Sequence, residues 1–263
     1  MAAEASGGAG FSLDLTAEDM REINDHLRKN PKDLFHIPFV RSHVTGQRVR
    51  RLKPSDIRTA GAMDPAVIEN TIQHNLMGLH GLAALNRPSF LIKPLVSAIS
   101  FNIDRAILRV LCVGPRTEAE FFMLLAEGFA PANIHGLDLI GYSPFVKIGD
   151  MHDMPYPPNS FHVIFLGWVL GYSNDLDKVA AEVVRVATPG AFVAIGQELD
   201  PKSDEELDRT RSFKLKGSRF KDTGEMLKLF KGHVDKVIFR RDVPKSLRHV
   251  VDHQMLIFTV KKR

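Results

Sequence analysis

The apolar positions of this chain change their period near residue 105. Upstream they recur at helical spacing, with Val67, Ile68, Ile72, Leu76, Leu79, Leu82 and Ala83 on one face of "AVIENTIQHNLMGLHGLAALN". Asp64-Pro65 just before it is a start signal, a capping side chain followed by proline at the first helical position. Thr16, with Asp19 three residues on, predicts another helix start, and that helix runs to Pro31. A further helical segment, "SFLIKPLVSAISF", follows Pro88 and is interrupted by Pro94. Between these, "RSHVTGQRVRRLKPSD" is basic, polar and broken by Gly46 and Pro54, and is expected to be a loop.

Downstream of Ile103, short β-branched runs alternate with helical stretches. "AILRVLCV" reads as a strand and "TEAEFFMLLAEG" as a helix ending at Gly128. "NIHGLDL" and "HVIFLGWVL" read as strands, and "DLDKVAAEVVRVA" as a helix ending before Pro189-Gly190. "AFVAIGQE" is a strand, "DTGEMLKLFKG" a helix, and "DKVIFRRD" and "HQMLIFTVKK" close the chain as two β runs. Alternation of this kind predicts an α/β domain with a mostly parallel sheet and helices on both faces. Ligands of such sheets bind at the carboxyl ends of the strands. The expected organisation is a disordered leader over 1–10, a helical N-terminal cap or accessory segment over 11–105, and an α/β domain over 106–263.

Composition changes this picture little. The chain has 263 residues, 44% apolar and 25% charged, the mix of a globular protein. No apolar run approaches the ~20 residues that span a bilayer. "MAAEASGGAG" lacks the basic and apolar regions of a secretory signal, so a cytoplasmic location is the default expectation. The single cysteine, Cys112, excludes an intrachain disulfide and a multi-cysteine metal site, and no metal is expected. Charge is unevenly divided. Val110 to Asp200 holds 11 acidic and 4 basic residues, and Arg209 to Arg263 holds 16 basic and 5 acidic. The basic end is favoured as a solvated surface over an anionic-partner site, because its phenylalanines sit at apolar-periodic positions.

The candidate chemistry lies at the predicted strand ends. Gly114 in "RVLCVGPRTEAE" follows a buried strand and precedes a helix, where a missing Cβ permits a sharp turn and close approach of a ligand. Thr117 and Glu120 have the spacing of a capping box. Asp138 ends the next strand, where a carboxylate accepts from both hydroxyls of a ribose. Asp150 is placed to end the third strand and to accept from an exocyclic amine, with Met151 offering a backbone N–H and an apolar surface to a base.

Together these stretches resemble the class I methyltransferases that use S-adenosylmethionine, specifically the small-molecule group labelled type 11. The resemblance covers about residues 105–200. "VLCVGPRTEAE" is similar to the family's first motif and "IHGLDL" to its second, and "GDMHDMPYPPNSFHVIFLGWVLGYSNDLDKVAAEVVRVATPGAFVAIG" to the third and later ones. It implies a Rossmann-like sheet with an antiparallel last strand and S-adenosyl-L-methionine as cofactor. By position, Gly114, Pro115 and Arg116 would face the methionine portion, Asp138 the ribose and Leu139 the adenine. Asp150 and Met151 would meet the adenine edge, with His152 adjoining, and Gly167 and Trp168 would line the methyl-transfer region.

This sequence departs from the family pattern in three places. "GPRTE" stands where the family has "GxGxG", so Arg116 is expected to bind the methionine carboxylate and Glu118 or Glu120 its amine. Only 11 residues separate Asp138 from Asp150, too few for a full helix, so "IGYSPFVKI" must be a loop or single turn. His162 replaces the usual aspartate of "SFD" and reads as a surface or strand-edge change.

His152 and Tyr172 are the candidate proton acceptors, ahead of His74 and His80, which read as surface or packed helix residues. The N-terminal helices read equally as a lid that positions the acceptor and as a supporting layer or homodimer surface. The expected activity is methyl transfer to a small-molecule or saccharide-like acceptor. The alternatives are a non-catalytic module of the same fold and, disfavoured by the absence of an "NPPY"-type motif, an RNA methyltransferase.

Overall fold

The computed structural model describes residues 14–60, 86–100, 102–203, 206 and 219–262. The helix expected around residues 66–86, with His74 and His80, lies outside the described residues except at Asn86. So does the leader.

The N-terminal segment opens with α1 (Ala17–Lys29), capped as expected: Thr16 Oγ1 accepts from Asp19 N–H, and the Asp19 carboxylate accepts from Thr16 N–H at 2.8 Å. The expected loop at 41–56 is instead largely helix, α2 (Pro38–Arg50). Pro38 starts it at a position where no N–H is needed. Its buried stripe is Arg41, Thr45 and Val49, at i, i+4 and i+8. Two of the three are polar, so the stripe leaves no apolar period to read. Arg41 is satisfied by the Phe35 carbonyl and the Asn86 side chain. A short strand, β1 (Arg58–Thr59), and α3 (Ser89–Ala98, with Pro94 inside) complete this segment.

The sheet begins with β2 (Val110–Val113), buried at all four positions. It is followed by α4 (Ala119–Ala126), β3 (Ile134–Asp138), β4 (Ile140–Gly141), β5 (Val146–Ile148), β6 (Phe161–Gly167) and α5 (Leu176–Val186). Then come β7 (Ala187–Leu199), α6 (Thr223–Leu229), β8 (Val234–Arg241) and β9 (Asp252–Val260). Seven strands lie in the order β5-β3-β2-β6-β7-β9-β8. The first five are mutually parallel, and β9 runs antiparallel to both β7 and β8. This is the Rossmann-like class I methyltransferase sheet. The order reverses between β2 and β6, which opens a crevice at their carboxyl ends.

The strands alternate between two cores. Leu111, Val113, Ile164 and Leu166 face the α5–α6 side, and Val110, Cys112, Val163 and Phe165 face α3 and α4. α5 shows the expected one-sided pattern, burying Val179, Ala180, Val183 and Val186, and Asp175 caps it. β7 starts earlier than expected, at Ala187. A register shift between Phe161 and Val163 and the left-handed Gly190 (φ 78°) absorb the Pro189-Gly190 turn within the strand.

The α4 helix is buried nearly all round. One side packs on the sheet, and on the other Phe122 stacks on Phe35 of the N-terminal segment, ring centroids 4.5 Å apart. A fork-like ion pair ties the same segment down: Arg48 of α2 grips the Glu118 carboxylate with Nε on one oxygen and Nη2 on the other, the latter at 3.0 Å. Glu118 is 1% exposed, and Arg48 is its only ion-pair partner among the described residues. Arg48→Ala is expected to lower stability by about 2–3 kcal/mol in urea unfolding, the cost of a buried charge left without its main partner. A loss under half a kcal/mol would mean that the pair does not anchor α2.

Candidate active site

A cleft enclosing about 780 Å³, solvent at its mouth included, opens at the carboxyl ends of β2, β3, β5 and β6. Gly114 forms its floor. The Gly114 N–H bonds the Leu137 carbonyl at 2.8 Å, which turns the chain sharply into φ +71°. A Cβ at this position would lie 2.6 Å from Val169 Cγ2, so glycine is required twice over.

Of the residues expected on the cofactor side, Gly114, Arg116, Asp138, Leu139, Asp150, Met151, His152, Gly167 and Trp168 all line the cleft. Two do not. Pro115 turns back and packs against β3, where a Cβ on Gly136 would meet its ring at 3.1 Å. Glu118 is committed to Arg48. The expected capping box also fails to form. Glu118 is the N-cap residue with no side-chain cap, and Thr117 Oγ1 only weakly accepts from Ala119 N–H at 3.4 Å. Glu120 points the other way from Glu118, into a smaller cavity that adjoins the cleft.

Asp138, the last residue of β3, and Asp150, two residues beyond β5, differ in electrostatics. Burial pushes Asp138 up to about 6, against the Ile140 N–H (3.3 Å to Oδ1) and the field of Arg116. Asp150 sits just past β5, which ends at Ile148 rather than at the aspartate. Burial pushes it up too, but the His152 ring and the His152 N–H, both bonded to Oδ1 at 2.7 and 2.9 Å, pull it below its ordinary value.

The His152 ring is engaged at both nitrogens, Nδ1 with Asp150 and Nε2 with Ser173 Oγ at 2.8 Å. Ser173 is buried. A carboxylate accepts only, so Nδ1 carries the proton, and in the neutral ring Nε2 accepts from Ser173. The histidine therefore clasps the loop after β5 to the turn after β6 rather than standing open as a base. Tyr172 Oη accepts from Arg116 Nη2 at 2.8 Å. Both lie at the cleft, His152 with Nε2 bonded to Ser173 and Tyr172 beside Arg116.

At the far wall Trp168 adopts φ +59°, rare for a bulky residue and typical of functional sites. Its N–H bonds the Gly196 carbonyl at 2.8 Å, and Nε1 donates to His253 Nδ1 at 3.1 Å. Burial lowers the His253 pKa, in keeping with a neutral ring that accepts. Over the Trp168 ring stands Arg87, 4.5 Å from the centroid. The sequence reading missed Arg87. It precedes α3 by two residues and is separated from every recognised motif, so no local signal marks it. His162, at the opposite end of β6, accepts from Arg109 N–H at 3.0 Å and joins strand ends there.

The "IGYSPFVKI" segment is, as expected, no helix: it holds β4, a turn and β5. β4 pairs antiparallel with β1, and the Ala60 N–H bonds the Leu139 carbonyl at 2.8 Å. The N-terminal segment thereby forms the rim beside Leu139. Among the described residues no helix is long and apolar enough to cross a membrane, and no cluster of ligating side chains could hold a metal.

Residues 112–195 match the methyltransferase domain family. Solved structures share the fold at low identity. The protein bound to the Haloferax volcanii Trm112 methyltransferase activator superposes with a TM-score of 0.52 at 13% identity, covering 75% of this chain and 98% of that one. The [4+2]-cyclase SpnF gives 0.51 at 12% identity, over 78% and 100%. An S-adenosylmethionine-dependent methyltransferase from Mesorhizobium loti gives 0.47 at 14% identity, over 66% and 98%.

Proposed function

We propose that this chain, which carries a methyltransferase domain on a class I methyltransferase fold, binds S-adenosylmethionine and transfers its methyl group to a small-molecule or saccharide-like acceptor. The observation that carries the reading is that Asp138 at the end of β3 and Asp150 just past the neighbouring β5 line one cleft beside a glycine turn that no side chain could occupy. Asp138 is positioned to accept from the ribose hydroxyls. Asp150 keeps Oδ2 for an adenine amine while Oδ1 holds His152. Leu139 and Met151 supply apolar surface for the base. Bound there, the cofactor supplies a methyl group on a sulfonium, already activated toward displacement.

The protein's part is then alignment and exclusion of water, and alignment alone is worth several kcal/mol. Trp168, fixed by Gly196 and His253, and Tyr172, fixed by Arg116, form the aromatic wall against which an acceptor would be held. With His152 Nε2 held by Ser173, that ring contributes positioning rather than proton abstraction. The fold by itself does not dictate methyl transfer, as the cyclase shows, so the cofactor is the point to test. Calorimetry should show binding of S-adenosylmethionine and S-adenosylhomocysteine by the folded protein. No heat of binding at millimolar ligand would reject the reading.

A further inference from the structure

The turn after β2 carries one glycine, and the residue that follows it has no N–H to offer. Pro115 is moreover packed on Gly136. Backbone donors are therefore scarce where an amino-acid-like end would lie. What the structure has instead is charge. Arg87, Arg116 and Glu120 line one small cavity with Gly114 and Gly167, continuous with the cleft.

The two guanidinium groups are close enough to repel, and neither forms an ion pair among the described residues. Arg87 rests on the Trp168 ring, and Arg116 donates to the Tyr172 hydroxyl. Glu120 and Glu198 offset part of that repulsion at Arg87 from beyond ion-pair distance, and the guanidinium fork suits a further carboxylate. The Glu120 carboxyl lies against the end of β6, with Oε1 3.2 Å from where a Cβ of Gly167 would be.

We propose that Arg87 and Arg116 grip the α-carboxylate, and Glu120 the α-ammonium, of the amino-acid end of the cofactor, a side-chain clamp that takes over from the missing glycines. This rests on the S-adenosylmethionine reading above. It assigns Arg87, brought in from before α3, to the cofactor rather than to the acceptor. Glu120 has the electrostatics for the task. Burial pushes it up to about 7, with Asp138 of β3 adding to the rise and Arg87 and the Cys112 thiol of β2 opposing it. Raised in this way toward neutrality, it is drawn into the ionised form by an arriving ammonium.

The test compares two ligands by calorimetry on the full chain. S-adenosylhomocysteine has the amino-acid end, and 5′-methylthioadenosine keeps the adenosine and sulfur without it. Arg87→Ala is expected to weaken the first by about 10- to 100-fold, as for a lost charged hydrogen bond, and to leave the second within about twofold. Retained methylthioadenosine binding doubles as the control for folding. Arg87→Lys should recover part of the loss.

The ratio of the two affinities removes the ribose-side titration of Asp138. In the wild type that ratio should fall as pH drops through 7, and in Glu120→Gln it should stay flat. Equal effects of Arg87→Ala on both ligands, or none on either, overturn the clamp while wild-type binding of S-adenosylhomocysteine leaves the cofactor reading standing. A folded wild type that binds neither ligand overturns both.

Discussion

Asp138→Asn should weaken S-adenosylhomocysteine binding by at least about 100-fold while raising the stability of the ligand-free protein at neutral pH. The first effect follows from two ribose hydroxyls donating to one ionised carboxylate, each charged bond worth about 1.5–3 kcal/mol. Asparagine keeps the shape but offers one neutral acceptor. The second effect follows from the pKa. Asp138 is pushed from 3.8 to about 6 in the folded protein, chiefly by burial. Between those values the folded state holds a proton that the unfolded chain has released. Stability therefore falls as pH rises through this window, and above about 6 the full penalty applies. The asparagine variant escapes it. Its melting temperature should exceed that of the wild type at pH 7.5, and the gap should narrow toward pH 4. An affinity within threefold of wild type would remove Asp138 from the ribose site. An unchanged melting difference across that pH range would show that its carboxyl is not desolvated.

The same residue shows what could be read from the chain before any coordinates. Asp138, Gly114 and the Asp150–His152 stretch stand at places where one local period ends and another begins, and strand-to-helix punctuation is a local signal. The mostly parallel sheet with helices on both faces followed from that alternation. What the sequence hid was settled by contacts between distant segments. α2 buries Arg41, which a carbonyl and a side-chain amide satisfy, and its Arg48 reaches Glu118. No hydrophobic period records that. Glu118 and Glu120 could not be told apart by helical spacing, because α4 is covered on both sides: Glu118 meets Arg48 of α2, whereas Glu120 faces the cavity that Arg87 lines. Arg87 reaches the cleft only because α3 packs against α4 and β7.

Gly114→Ala is expected to be the most damaging single-methyl change in the domain, costing about 2–5 kcal/mol and abolishing S-adenosylhomocysteine binding at concentrations that saturate the wild type. Two separable penalties make up that sum. Alanine at φ +71° carries the left-handed cost, about 1–2 kcal/mol. Its Cβ would also stand 2.6 Å from Val169 Cγ2, an overpacking cost of about 1–3 kcal/mol. Val169 has little room to retreat, because the preceding Trp168 is itself held in a left-handed conformation by Gly196 and His253. A double-mutant cycle divides the two penalties. Val169→Ala removes the nearest atom but leaves Cβ 3.0 Å away, so Gly114→Ala/Val169→Ala should be less destabilised than the sum of the singles by about 1 kcal/mol. The residual loss would be the backbone term. Urea unfolding of the four proteins measures this directly, and strict additivity would show that Val169 does not press on the turn. One glycine is then enough for this motif. It alone meets both the left-handed angle and the close wall, and the positions after it, filled by Pro115 and Arg116, serve packing and charge instead of backbone approach.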